Sequence, residues 1–133
     1  MSANTQVFGS SILEFGFIPV TITAAAGIVA HRFIKSDGSA YAAVEDSTCG
    51  VSTAKVTAAQ VTNSQNSINA AISGICLVEA SDVIAIYALV ELEAGTATGR
   101  VVTQVAGTVR GKAMAASGAA GDIIPVLLAP TSK

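Results

Sequence analysis

A chain of 133 residues with a net charge of −2 and only seven basic side chains has no row of Lys or Arg to set against phosphates, which argues against a nucleic-acid partner. It is 51% hydrophobic and 12% charged, with 5% aromatics and no Trp, so the expectation is one domain with a small-side-chain core and a thinly charged surface made for contact with other protein. The longest weakly polar run, residues 15–30, is shorter than the roughly 20 residues of a spanning helix, and Pro19, Thr21, Thr23 and Gly27 interrupt it, so no membrane partner is expected. Residues 1–30 hold no Lys or Arg, so the positive start of a secretory leader is missing, although Ala24-Ala25-Ala26 imitates a cleavage site.

The first 16 residues, MSANTQVFGSSILEFG, hold no sustained period and read as an irregular N-terminal arm ahead of a single domain over residues 17–133. Phe8, Ile12, Leu13 and Phe15 are scattered among Ser, Gly and Asn. Aromatics in such a segment need a surface to bury against. Two surfaces qualify: the arm's own domain, or a neighbouring protein reached by adding a strand to an exposed edge. Residues 17–23, FIPVTIT, alternate as a strand, which Pro19 places at an edge or near its own start. A small-residue connection over 24–30 follows. A short strand over 32–35 meets the turn Ser36-Asp37-Gly38-Ser39, and residues 41–44 return from it. A polar loop over 45–48 leads into Cys49-Gly50-Val51-Ser52.

A helix over 54–61 is disfavoured by Val56, Thr57, Val61 and Thr62, and 62–66 is a polar loop. From Ser67 the period is two, with Ile68, Ala70 and Ile72 on one face and Ser67, Asn69 and Ala71 on the other. This strand continues, bent at Gly74, through Ile75-Cys76-Leu77-Val78. Residues 81–90, SDVIAIYALV, are apolar enough for a helix, but Val83, Ile84 and Ile86 are β-branched and no charged face exists, so strand and turn are expected. A strand over 89–93, a turn over 95–100, a strand over 101–105 and another over 109–115 follow. Gly121-Asp122 is a turn signal, and residues 123–128, IIPVLL, form a last strand that is apolar on both faces. Pro125 cannot donate to a ladder. This strand is therefore expected at an edge or bulge, covered by another subunit or by the arm, with Ile123 and Pro125 at the boundary. Short strands with closely spaced turn signals give an all-β fold, a compact antiparallel β-sandwich or barrel with an irregular N-terminal arm.

Catalytic constellations are missing: there is no GxGxxG, P-loop, GxSxG or HExxH, and the chain is not expected to be an enzyme. His31 is the only histidine and reads as a strand-start residue with a local hydrogen bond rather than a base. Glu91 and Glu93 lie two apart on a strand; a solvated strand face is the plainer reading, acid–base work or cation binding the sharper one. Asp37, Asp82 and Asp122 each sit where a turn wants Asp. Cys49 and Cys76 have no ligand-spaced partner and read as two buried thiols, with a single disulfide as the alternative. Arg32, Arg110 and Lys112 stand on a solvated face or pair with carboxylates across a subunit boundary. The residues expected to contact another subunit or partner are Phe8, Ile12, Leu13, Phe15, Arg32, Arg110, Ile123 and Pro125. No metal site and no cofactor is expected.

An ordered set of short motifs resembles the small capsid cement, or head decoration, proteins of tailed bacteriophages. It runs from Ala30-His31-Arg32-Phe33-Ile34 with Asp37-Gly38, through Gly50-Val51-Ser52 and Gly111-Lys112-Ala113-Met114-Ala115-Ala116-Ser117, to Ala119-Ala120-Gly121-Asp122 and Ile124-Pro125-Val126-Leu127-Leu128. The chain departs from that pattern in the polar stretch over 61–69 and in the Phe-containing arm before Phe17. The resemblance implies a structural virion protein that binds the outer surface of an icosahedral head, often as a homotrimer. Its partner would be the major capsid protein, and it would hold capsid subunits together against internal DNA pressure without cofactor or turnover. The alternative is a carbohydrate- or protein-binding β-sandwich module on a surface or tail structure. Such a module wants exposed aromatics on one face, and this chain has two Tyr and no Trp.

Overall fold

A computed structural model of the chain describes residues 16–39, 48–94 and 98–129. Its elements are β1 (Phe17–Thr23), β2 (Phe33–Lys35), β3 (Thr48–Ser52), α1 (Ala58–Thr62), β4 (Ser67–Glu79), β5 (Leu89–Leu92), β6 (Val101–Thr103), β7 (Gly111–Ala113) and β8 (Ile123–Leu128). The fold is all-β: the strands join antiparallel into one curled sheet, a half-barrel, in the order β2-β3-β4-β8-β7-β5-β6, with β1 attached to β4. The returning strand expected over 41–44 lies outside the described residues. Among those described, β2 pairs with β3.

The sheet is built around β4, which is 13 residues long. Its first half pairs with β1, from Thr23↔Ser67 to Phe17↔Gly74, and meets β3 at Val51↔Ala71 and Ser52↔Ala70. Its second half pairs with β8, from Ile75↔Leu127 to Glu79↔Ile123. Between the halves the ladder with β1 slips by one residue at Ile18/Pro19, and Gly74 takes φ +89°. That left-handed conformation suits glycine, and a Cβ there would run into Gly16 O and Phe17 Cα. A one-residue slip exchanges the two faces of a strand. The burial follows this rule. Ile68 and Ala70 face one cluster with Ala24, Ile28, Ile34 and Val56. Ala71 faces the larger cluster, and beyond the slip Cys76 and Val78 face that same cluster with Val90, Leu92, Val101, Val126 and others. The strict alternation expected from Ser67 onward therefore fails at its end: Ala71 is buried and Ile72 is 43% exposed.

Pro19 stands where expected, on a strand that pairs only with β4. The helix disfavoured over 54–61 is present as one turn, α1. Its capping box has Thr57 Oγ1 accepting from Gln60 N (3.2 Å) while Gln60 Oε1 accepts from Thr57 N (2.7 Å). Two reciprocal end-group bonds outweigh the poor propensity of Val61 and Thr62. Residues 81–90 contain no helix: Ile84 bridges to Ser117, and a turn carrying Tyr87 at φ +67° leads into β5.

The expectation for β8 needs correcting. It is an interior strand, paired with β4 on one side and β7 on the other. Pro125 is tolerated because of where it falls. Its ladder partner on β4 is Leu77, and its carbonyl accepts from Met114 N (2.8 Å), one residue beyond the end of β7. The missing N–H falls at the pair with Met114, outside the β7 ladder, so no bond between the named strands is lost.

Candidate interaction surface

The charged side chains that looked available for partners are engaged within the chain. Arg32, just before β2, grips Glu79 at the end of β4 in a two-pronged pair, Nε to Oε1 at 2.9 Å and Nη2 to Oε2 at 3.3 Å. Arg100 joins Glu79 Oε2 (3.6 Å) to Glu93 Oε1 (3.3 Å), and Thr98 Oγ1 donates to the same Glu93 oxygen. Burial opposes ionisation of Glu93, but hydrogen bonds from Thr98 and Ser81 and the Arg100 charge more than offset it and hold the carboxyl below its ordinary range. This cluster fastens the residues around β6 to the β2–β4 corner. Arg32 thus pairs within its own chain, not across a boundary.

Arg110 is 1% exposed, and its Nη1 donates to Thr48 Oγ1 at 3.2 Å. It lines a cavity of about 160 Å³ with Phe33, Gly50, Ala71 and Leu128. A side chain sunk this deep offers no surface to another subunit, which corrects the second arginine of the contact set. Glu91 is buried too, so the solvated-face reading fails for it. Its two oxygens accept from Val105 N (2.6 Å) and Gly107 N (2.7 Å), closing the loop after β6. A carboxylate spent on two backbone donors is a loop clamp, not half of an acid–base pair.

His31 sits in the left-handed region at φ +68°; its N–H donates to Ser52 O (2.9 Å) and its carbonyl accepts from Glu79 N (2.8 Å). Cys76 is a free, buried thiol whose pKa burial pushes up to about 12, so it carries no thiolate near neutrality. The side chain of Cys49 lies outside the described residues. The three aspartates serve turns as expected: Asp37 accepts from Ser39 N (2.9 Å), Asp82 from Val83 N (2.7 Å), and Asp122 from Gly118 N (2.8 Å) and Ala119 N (3.2 Å). Among the described residues no group of His, Cys, Asp or Glu could hold a metal ion, and no helix is long and apolar enough to cross a membrane.

What the described surface does offer is an apolar sheet face. The ladder sets Ile75 beside Leu127 and Leu77 beside Pro125, with Leu127 beside Lys112 and Lys112 beside Leu89. Cross-strand partners share a face, so these residues form one patch on the side of the sheet away from the main core. Ile123 is 49% exposed, Leu89 46%, Leu127 42% and Leu77 37%. Lys112 stands on this patch, its Nζ 6.0 Å from the Tyr87 ring centroid, and at the patch's other end Glu79, with Arg32 and Arg100 on it, faces Ile123 across the ladder. A second cavity of about 160 Å³, lined by Phe17, His31, Val51, Cys76 and Leu77, flanks it.

Of the eight expected contact residues, Ile123 and Pro125 come together on this patch, Ile123 open to solvent and Pro125 half-buried. Arg32 stands at the border of the patch, paired with Glu79, the ladder partner of Ile123, and Arg110 is buried. Phe8, Ile12, Leu13 and Phe15 lie outside the described residues. Leu77, Leu89, Leu127 and Tyr87 were not singled out by the sequence reading. Their signal was the apolar doublet pattern of Ile75-Cys76-Leu77-Val78, which has no polar face either and calls for cover as residues 123–128 do. Comparison with protein-family models, with curated proteins and with solved structures finds no match.

Proposed function

We propose that this chain is a structural, non-enzymatic decoration protein of a tailed-bacteriophage head. In this reading it assembles as a homotrimer on the outer capsid surface and ties major capsid subunits together. The observation that carries a protein-contact role is the exposed apolar patch on β4 and β8: charged groups serve the chain's own corners and loops, while aliphatic side chains are left to solvent. Exposed apolar sheet area of this kind marks a protein interface. The motif resemblance supplies the identity of the partner. A rigid β-domain repeated over a closed shell needs only modest affinity per copy, because many contacts act together.

The test is co-sedimentation with expanded, DNA-free shells of the major capsid protein encoded in the same genome. The intact chain is expected to pellet with shells, and the chain lacking residues 1–16 to pellet markedly less while keeping its β-type circular dichroism. Failure of the intact chain to bind shells overturns the reading. Retention on a glycan array instead would favour the carbohydrate-binding module.

A further inference from the structure

We propose that the cavity of about 160 Å³ beside Leu77 seats one aliphatic residue of an extended segment of the partner protein, which supplies a missing rung of the β4 ladder. This deepens the protein-contact reading of the neighbouring patch and rests on it, not on the identity of the partner as a capsid subunit.

The backbone groups along one edge of β4 carry the argument. Alternate residues of a strand send their N–H and C=O to the same edge. Ile75 N donates to Gly16 O at 2.9 Å and Glu79 N to His31 O at 2.8 Å, so Leu77, between them, faces that edge too. It gains nothing from β8: its ladder partner Pro125 has no N–H, and Pro125 O accepts from Met114 N on the far side. Among the described residues nothing bonds to Leu77 N or O. A backbone donor and acceptor left so call for a partner.

The cavity lies where the rung is absent. Phe17, next to Gly16, stands on one flank, His31 on the other, and Val51, Cys76 and Leu77 complete the wall. Val51 is 1% and Cys76 4% exposed, against 41% for Phe17 and 37% for Leu77, so the space is closed within and entered past Phe17 and Leu77. Ser52, on the same wall, spends its hydroxyl on Val29 O and Arg32 O. What is left to satisfy is one N–H and one C=O on a single residue, the pair that one residue of an antiparallel strand satisfies. An apolar space of about 150 Å³ holds a benzene-sized group, so the matching side chain is leucine-sized. A charged side chain would lose its water against this wall, and glycine would leave the space unfilled. An occupant one residue wide at this edge leaves Leu89, Ile123 and Leu127 open to the rest of the same partner, so cavity and patch form one continuous contact.

The test titrates the full isotope-labelled chain with the capped tripeptide acetyl-Ala-Leu-Ala-amide, with no shell present, and reads backbone amide signals by NMR. The expected result is a saturable downfield shift of the Leu77 amide proton with a Kd in the millimolar range, as befits a single anchoring residue. The His31 and Cys76 amides should move with it, while those of Ile28 and Val56 in the separate cluster stay in place. Two control peptides remove one feature each: acetyl-Ala-Gly-Ala-amide lacks the side chain, and the peptide N-methylated at leucine lacks the donor for Leu77 O. Each is expected to bind at least about tenfold more weakly. A Leu77 amide that does not move overturns the proposal, and so does equal binding of the three peptides, which marks nonspecific apolar contact. Failure of the chain to pellet with shells would leave the titration result standing, so the two readings fail separately.

Discussion

The two halves of β4 present the same sheet face to opposite fates. Before the slip, that face carries Ile68 and Ala70, and residues around Ala24, Ile28 and Val56 fold over it with Ile34 to make a closed cluster. After the slip, the continuing face carries Ile75 and Leu77, flanked by Pro125 and Leu127, and it leaves Leu77 37% and Leu127 42% exposed. The backbone is continuous, the pairing is antiparallel in both halves, and the side chains are similar. What differs is whether the chain spends a connection on cover. At about 25 cal/mol per Å² of apolar area removed from water, cover is a stability term for the first half and a reserved binding term for the second.

The most direct way to break the comparison is to truncate one aliphatic side chain in each half. Ile34 is 1% exposed in the covered cluster, and Ile34→Ala is expected to cost about 2–5 kcal/mol in urea unfolding, from lost transfer energy and a residual cavity. Leu77→Ala on the open half is expected to cost well under about 1 kcal/mol. Equal losses would mean that the open half is covered in the free protein.

How much of this was readable beforehand follows from the same strand. The strand from Ser67, the edge position of Pro19, the turn at Gly121-Asp122 and the absence of a helix over 81–90 all follow from local rules of period, ring geometry and β-branching. The exchange of faces is not local. It needs the one-residue slip against β1 and the left-handed Gly74, and a glycine in a strand signals a bend without saying which face each neighbour will take. Pro125 misled for a similar reason. A proline forbids a donor, but only the length of the neighbouring β7 decides whether a donor is wanted there. The arginines were legible as unusual, whereas their partners Glu79 and Thr48 lie 47 and 62 residues away, beyond any spacing rule.

Gly74→Ala tests the hinge between the halves and should have a smaller effect than the core truncation. The new Cβ meets Gly16 O and Phe17 Cα at a φ of +89°, so a cost of about 1–3 kcal/mol is expected. The diagnostic readout is hydrogen exchange: protection should fall at Ile75 N, which donates to Gly16 O, before it falls in β8. Uniform loss along β4 would argue that the two halves open as one unit.

The smallest expected effect concerns the charged corner where the second half of β4 ends. Glu93 has a folded pKa below the ordinary value of 4.5, so the folded state favours its ionised form. Its contribution is fully present above that ordinary value and is lost as pH falls through the lowered folded value. Glu93→Gln should therefore reduce stability by a few tenths to about 1 kcal/mol near pH 6, a partly exposed pair being well screened, and the gap to the parent chain should close in acid. A gap that persists unchanged in acid would show that the amide disturbs packing against Arg100 and Thr98 rather than merely removing a charge, and would separate the corner's electrostatics from the apolar face it borders.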